Sequence, residues 1–349
     1  MIPMHALKPR PKNLAVIALS LLLMTIGDSA ASLRLSSISG PLSQAGLRDQ
    51  RHVTISGPQI SHCEIFPADN VWNTPVDKLK KDRHSDSYIS MIGRELPLHP
   101  DFGSDPRYGI PYTVIPGTTK RVPVTFDYAD ESDLGNYPIP RDVLIEGGAS
   151  SPGDRHILLI DKDRCILYEL FAAKPQPDGS WKAGSGVMMD LTDNALREAG
   201  KSSADAAGLP ILSGLVRYDE VAAGEIKHAL RFTAPKTQNA FLWPARHSAS
   251  SITSTNYPPM GTRFRLRSSF DISGFSKPAQ TILTALKRYG MILADNGGPW
   301  FLSGAPDRRW NDRDLQQLRK VKGEDFEAVD ESGWQLLPNS GRVDPMAAH

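Results

Sequence analysis

Between positions 122 and 191 apolar and polar residues alternate in short runs, and each run ends in a turn signal. VPVTFDY places Val122, Val124 and Phe126 on one face. The apolar runs at 156–160 and 165–171 flank Asp161-Lys162-Asp163-Arg164, the pattern of a β-hairpin, and SWKAGSGVMMDL follows the Asp178-Gly179 turn. DVLIEGG adds a further short strand. A period of two describes half-buried strands, because successive side chains point to opposite faces. Such a chain does not make a helical bundle. Its 28 Pro and 28 Gly point the same way, since both residues break helices and punctuate strands. The expected fold is mainly β, a β-sandwich or jelly-roll-like core with two or three flanking α-helices.

The clearest helix spans 276–289. Ser276 precedes Pro278 in the first turn, and Ala279, Ile282, Leu283, Leu286 and Tyr289 form an apolar stripe that Gly290 ends. Shorter helices are expected at 85–92 and 312–321, and a strand at 262–268 places Arg263, Arg265 and Arg267 on one face.

Lys8, Arg10 and Lys12 precede an apolar run at 14–26, and the small residues Ser29, Ala30 and Ala31 follow it. That order is an export signal, and the run falls short of the ~20 residues a bilayer span needs. The reading is a signal peptide at 1–31, a flexible spacer at 32–60, one globular mainly-β domain at 61–330 and a tail at 331–349. The mature chain is expected to be secreted, with no membrane span after signal cleavage. Two cysteines in an exported chain, Cys63 and Cys165, are expected to pair as a disulfide. Forty basic against 39 acidic residues give a net charge of +1, whereas a nucleic-acid-binding domain carries a basic excess.

The stretch 214–247 is the densest mixture of acid, base and aromatic residues. Read as a hairpin, it places His228 opposite Arg246 and Arg231 opposite Trp243, with a register slip of one bringing in His247. A neutral His beside Arg, with Tyr218 or Tyr257 as proton donor, is the logic of β-elimination from a uronic acid. A lone His on an apolar strand face is equally the pattern of a core histidine. A hydrolase alternative draws on turn carboxylates, Asp205, Asp219, Glu220, Glu225, Asp271 and Asp295. The candidate catalytic residues are therefore His228, Arg246, Tyr218, His247, Glu220 and Asp295, and the candidate substrate-binding residues are Trp243 and Arg231. Asp127, Asp130 and Asp133 are hard oxygen ligands available to Ca²⁺, although their spacing is not that of an EF-hand. No zinc, P-loop, dinucleotide or nucleophile-elbow motif occurs.

The segments FPADNVWN (66–73), VTFDYADESD (124–133), GLVRYDEV (214–221), HALRF (228–232), WPARH (243–247) and YGMILADNG (289–297) resemble those of a set of exported bacterial proteins of unassigned function. The resemblance implies one continuous domain over about 62–330 and assigns no site. The expected function is action on an extracellular polysaccharide or cell-surface glycan, as lyase or glycoside hydrolase. The alternative is a non-catalytic carbohydrate-binding or cell-surface structural protein.

Overall fold

The structure is a computed structural model, described here over residues 57–344. The signal segment and most of the expected spacer lie outside these residues. In chain order the elements begin with β1 (Gln59–Ile60), β2 (Cys63–Glu64), α1 (Ser85–Ile92), β3 (His99–Asp101), β4 (Tyr112–Ile115), β5 (Val122–Phe126) and β6 (Gly135–Tyr137). There follow β7 (Ile157–Asp161), β8 (Ile166–Phe171), β9 (Lys174–Pro175), β10 (Trp181–Ala183), β11 (Ser185–Asp190), α2 (Tyr218–Ala223) and β12 (Leu230–Ala234). The last are β13 (Arg263–Leu266), α3 (Lys277–Arg288), β14 (Met291–Asn296), β15 (Phe301–Ser303), α4 (Asp312–Gln316) and β16 (Phe326–Ala328). The fold is mainly β, as the alternation predicts.

The strands form two four-stranded sheets, ordered β6-β5-β10-β9 and β11-β8-β7-β4, one six-stranded sheet, ordered β16-β13-β14-β12-β15-β3, and the small pair β1-β2. The hairpin predicted around 161–164 is present as β7 and β8, in antiparallel register from Ile157↔Leu170 to Asp161↔Ile166. Each larger sheet also contains a parallel pair: β5/β10, β4/β7, and both β12/β14 and β15/β3. Parallel neighbours require long crossovers, so segments distant in sequence meet edge to edge.

Two local expectations change. DVLIEGG is not a strand but a turn, because Gly147 and Gly148 both take left-handed φ, +70° and +89°, and reverse the chain there. The 214–247 hairpin also does not form. Strand β12 already pairs with β14 on one edge and with β15 on the other, so no edge is left for 240–247. Instead Phe241 makes a single parallel bridge to Met260 within an irregular excursion.

One face of the six-stranded sheet is apolar. Phe232, Phe264, Trp300 and Phe326 interlock as stacked and edge-on rings 5.4–5.6 Å apart. Helix α3 contributes buried Ala279, Ile282, Leu283, Ala285 and Leu286, the stripe read from its spacing. Burying a Leu, Ile or Phe side chain stabilises by roughly 1.5–3 kcal/mol, so this core dominates the fold's energetics. The cationic strand β13 has a structural role. Arg263 is buried and donates to the carbonyls of Tyr289 and Val71 and to Glu331 Oε1, each at 2.8 Å. Arg265 pairs with Glu327 and donates to the Val76 carbonyl. These bonds join the 71–76 and 327–331 segments to the sheet. The chain after 330, expected as a tail, packs onto the body through buried Trp334 and Val343 as far as residue 344.

Cys63 and Cys165 form the expected disulfide, with Cα atoms 5.4 Å apart and a sequence separation of 102. The bridge fixes the first strands to the turn before β8. Among the described residues no helix is long and apolar enough to cross a membrane.

Candidate functional site

The second face of the six-stranded sheet is polar. In β12 the alternation sends Phe232 to the apolar core and Arg231 and Thr233 to the other side. Across β15, Phe232 pairs with Leu302 and Thr233 with Phe301, and in β3 Ser303 pairs with Asp101 and Phe301 with His99. Arg231, Ser303 and Asp101 therefore lie in one row across three strands, with Thr233, Phe301 and His99 in the row beside it.

Strand β14 joins this face through an irregularity. The register shifts between Phe232 and Thr233, so that Leu293 pairs with Phe232 but Asp295 pairs with Thr233. A regular ladder would align Ala294 with Thr233 and turn Asp295 toward the apolar side. The extra residue reverses that parity and brings the Asp295 carboxyl to Arg231.

Arg231 is the centre of the cluster. Its Nε and Nη2 donate to Asp205 Oδ2 and Oδ1 at 2.6 and 2.7 Å, a bidentate pair in which both side chains are buried. Nη1 donates to Ser303 Oγ at 2.6 Å, and Nη2 lies 3.4 Å from Asp295 Oδ2. Asp205 is carried by the small-residue loop 202–208, which Ser203 Oγ closes by donating to the Leu209 carbonyl at 2.5 Å. Gly214 gives Arg231 room, because a Cβ there would sit 2.6 Å from the Arg231 Cβ.

Beside Arg231 stands a second ion pair. His156 Nδ1 lies 2.7 Å from Glu146 Oε2, and its Nε2 lies 3.1 Å from the Ala204 carbonyl oxygen. Both partners are acceptors, so both ring nitrogens must carry protons to satisfy them. The left-handed glycines after Glu146 turn the chain back so that the Glu146 amide also donates to the His156 carbonyl. Glu169 is fully buried and accepts from the amides of Ile211 and Leu212, pinning the turn that leads to Gly214.

The electrostatics divide these acids into two kinds. Burial, reinforced by the Asp205 charge and opposed by Arg231, pushes the Asp295 carboxyl up to about 7. Burial likewise raises Asp101, with its neighbours Tyr108 and His99 opposing. Burial would also raise Glu146, but the hydrogen bond and charge of His156 outweigh it and hold Glu146 below its usual range. Burial alone would lower His156, yet Glu146 overrides it and lifts the ring to about 9. Arg231 acts on all four groups. About a quarter of each of the Asp295 and Glu146 side chains is open to solvent, while Arg231, Asp205 and His156 are enclosed. The arrangement offers a proton donor and an ionised carboxylate on a rigid cationic support.

Of the residues singled out by sequence, Asp295, Arg231 and Asp205 meet here. Arg231 does not stack on Trp243. It is held by Asp205, and the Trp243 indole donates to the Ser340 carbonyl instead. His228 does not meet Arg246. It is fully buried, with Nδ1 at the Ala229 carbonyl and Nε2 at Glu220 Oε2, 2.7 and 3.0 Å away. Glu220 in turn pairs with Arg217 at 2.8 Å. Arg246 is committed to the carbonyls of Arg197 and Pro338 and to Asn339. His247 Nδ1 lies 2.8 Å from the Ala206 carbonyl, so the 243–247 segment braces the loop that carries Asp205. Tyr218 packs edge-on against Trp310 and under the Arg309 guanidinium.

Of the three suggested calcium ligands, Asp127 pairs with Lys182 and Asp133 with Arg197, while Asp130 lies in the 129–131 turn between them. Among the described residues the one metal-like grouping is His62 with Cys63 and Cys165, whose sulfurs are joined to each other. The sequence reading missed Glu146, His156, Asp101 and Ser303. A Glu ten residues before a His that opens an apolar strand was a local signal for the first pair. The row through Ser303 and Asp101 exists only in the sheet. No protein-family model, curated protein or solved structure matches the chain.

Proposed function

We propose that the Arg231 cluster is an acid–base site that cleaves an extracellular polysaccharide in the manner of a glycoside hydrolase. The observation carrying this reading is a pair of partly solvent-open carboxyls, Asp295 and Glu146, under one buried guanidinium and biased to opposite protonation states near neutral pH. Glycoside hydrolysis needs a carboxylic acid to protonate the departing oxygen and a carboxylate to act as base or nucleophile. Asp295 is the acid and Glu146 the carboxylate. Asp205 fixes Arg231 and keeps Asp295 protonated, while His156 keeps Glu146 ionised. The lyase branch loses its base, since His228 is enclosed and both its nitrogens are engaged. The disulfide supports an oxidising, extracytoplasmic setting.

The test is a screen of the mature protein against neutral and uronic-acid polysaccharides, following reducing ends and the absorbance of unsaturated uronates. Reducing ends without unsaturated product are expected. Asp295→Asn should lower the rate by roughly 10²–10⁴-fold with the folded spectrum unchanged. The rate should fall as pH rises through about 7, where Asp295 loses its proton. No reducing ends from any polymer, or full activity in Asp295→Asn, would refute the assignment.

A further inference from the structure

The disulfide has a histidine beside it. His62 lies in the turn between β1 and β2, one residue before Cys63, and is exposed. A ring nitrogen of His62 and the sulfurs of Cys63 and Cys165 all lie within 4.8 Å of one another. Among the described residues no other three His, Cys, Asp or Glu side chains converge this closely. Cys63 is buried, whereas Cys165 closes the β7–β8 turn and is partly exposed. The two-residue strands that carry Cys63 form a small sheet of their own, apart from the three larger ones. With one sulfur on that pair and the other at a turn, the two can part without breaking a long ladder.

Reduction turns this grouping into a ligand set. A dithiol passes two electrons and two protons to the bridge: the Cys63–Cys165 bond breaks, the reductant's own S–S bond forms, and two thiols remain. A zinc ion then displaces the two thiol protons and binds two thiolates and one neutral imidazole nitrogen. Two sulfurs and one imidazole, with a water in the fourth position, are an established donor set for zinc. Thiolates select such an ion over Ca²⁺ and Mg²⁺, which take oxygen ligands. The two thiolate charges cancel those of the ion, so the partly buried site gains no net charge.

We propose that His62, Cys63 and Cys165 of the reduced protein form a zinc site, which the disulfide replaces on oxidation. The two states exclude each other. Bound zinc shields the thiolates, and an oxidant that takes two electrons from the sulfurs rejoins them and expels the ion. The chain has only these two cysteines, so any thiolate-to-metal signal reports this site. The mature protein is reduced with a dithiol, freed of it by gel filtration, checked by circular dichroism and titrated anaerobically with Co²⁺. One bound equivalent with a thiolate charge-transfer band is expected in the reduced protein and none in the oxidised protein. Zn²⁺ should displace the cobalt and bleach the band. His62→Ala, in an exposed turn, should weaken cobalt binding at least ~10-fold, since even an outer-shell partner of a metal ligand is worth that much. No thiolate band in the reduced protein, or an affinity unchanged in His62→Ala, overturns the site. If reduction unfolds the chain, Co²⁺ should restore the fold of the parent protein and not of His62→Ala; recovery in neither, or in both, overturns it.

Discussion

Replacing Glu146 by Gln should remove most of one pH-dependent contribution to stability. In the folded chain His156 is enclosed, with a carboxylate on one nitrogen and a carbonyl on the other. Its pKa is raised from 6.5 to about 9, burial opposing and Glu146 prevailing. At about 1.4 kcal/mol per pKa unit, that interval corresponds to about 3 kcal/mol of stability. The folded pKa is the higher one, so the contribution is fully present below 6.5 and is lost as pH rises through about 9. Glutamine keeps an acceptor near His156 but removes the charge. The assay is guanidinium unfolding at a series of pH values from about 6 to 10, with the disulfide intact, for both proteins. Groups that titrate elsewhere contribute equally to the two proteins and cancel in the difference. That difference should be largest near the acid end and shrink by about 3 kcal/mol across the series. Parallel stability curves for the two proteins would show that His156 is not charged in the folded state, and the ion pair would fall with it.

Three further outcomes follow from the same contacts. Arg263→Ala should lower stability by about 3–5 kcal/mol, because it leaves buried Glu331 and three carbonyls without their donor; thermal melting measures it. Reducing the Cys63–Cys165 bridge should cost about 4–5 kcal/mol on chain-entropy grounds for a loop of 102 residues, and denaturant midpoints with and without reductant check it. His228→Ala should destabilise the fold by about 1–3 kcal/mol through the lost hydrogen bond to buried Glu220, which keeps Arg217 as its partner, while leaving turnover per folded molecule unchanged. A selective loss of rate at full stability would return His228 to the chemistry.

Much of the fold was legible because its signals are local. The hairpin around 161–164, the helix stripe from Ala279 to Leu286, the strand at 263–266 and the disulfide follow from alternation, helical spacing, turn residues and cysteine number. The face parity of β12 was legible too: Arg231 lies opposite Phe232, as a period of two requires. Partners were not legible. The 214–247 stretch looked like a hairpin because two strand-like runs flanked a loop, but the edges of β12 belong to β14 and β15. His228 and Arg246 are buried and Trp243 is half-buried, and each is bonded to backbone or to a neighbouring side chain rather than to the partner the hairpin would have supplied.

What the sequence determined by itself was a mainly-β chain with a pair-forming set of two cysteines and a stock of acids at strand ends. Only the tertiary structure decided which of them act together. Arg231, Asp295 and Ser303 come from three strands of one sheet and share its polar face, and the 202–208 loop brings Asp205 onto it. A single bulge sets the side to which Asp295 points. Side-chain periodicity fixes direction within a strand. The identity of the neighbouring strand, its register and the burial that moves a carboxyl's pKa are properties of the packed sheet, and no local pattern encodes them.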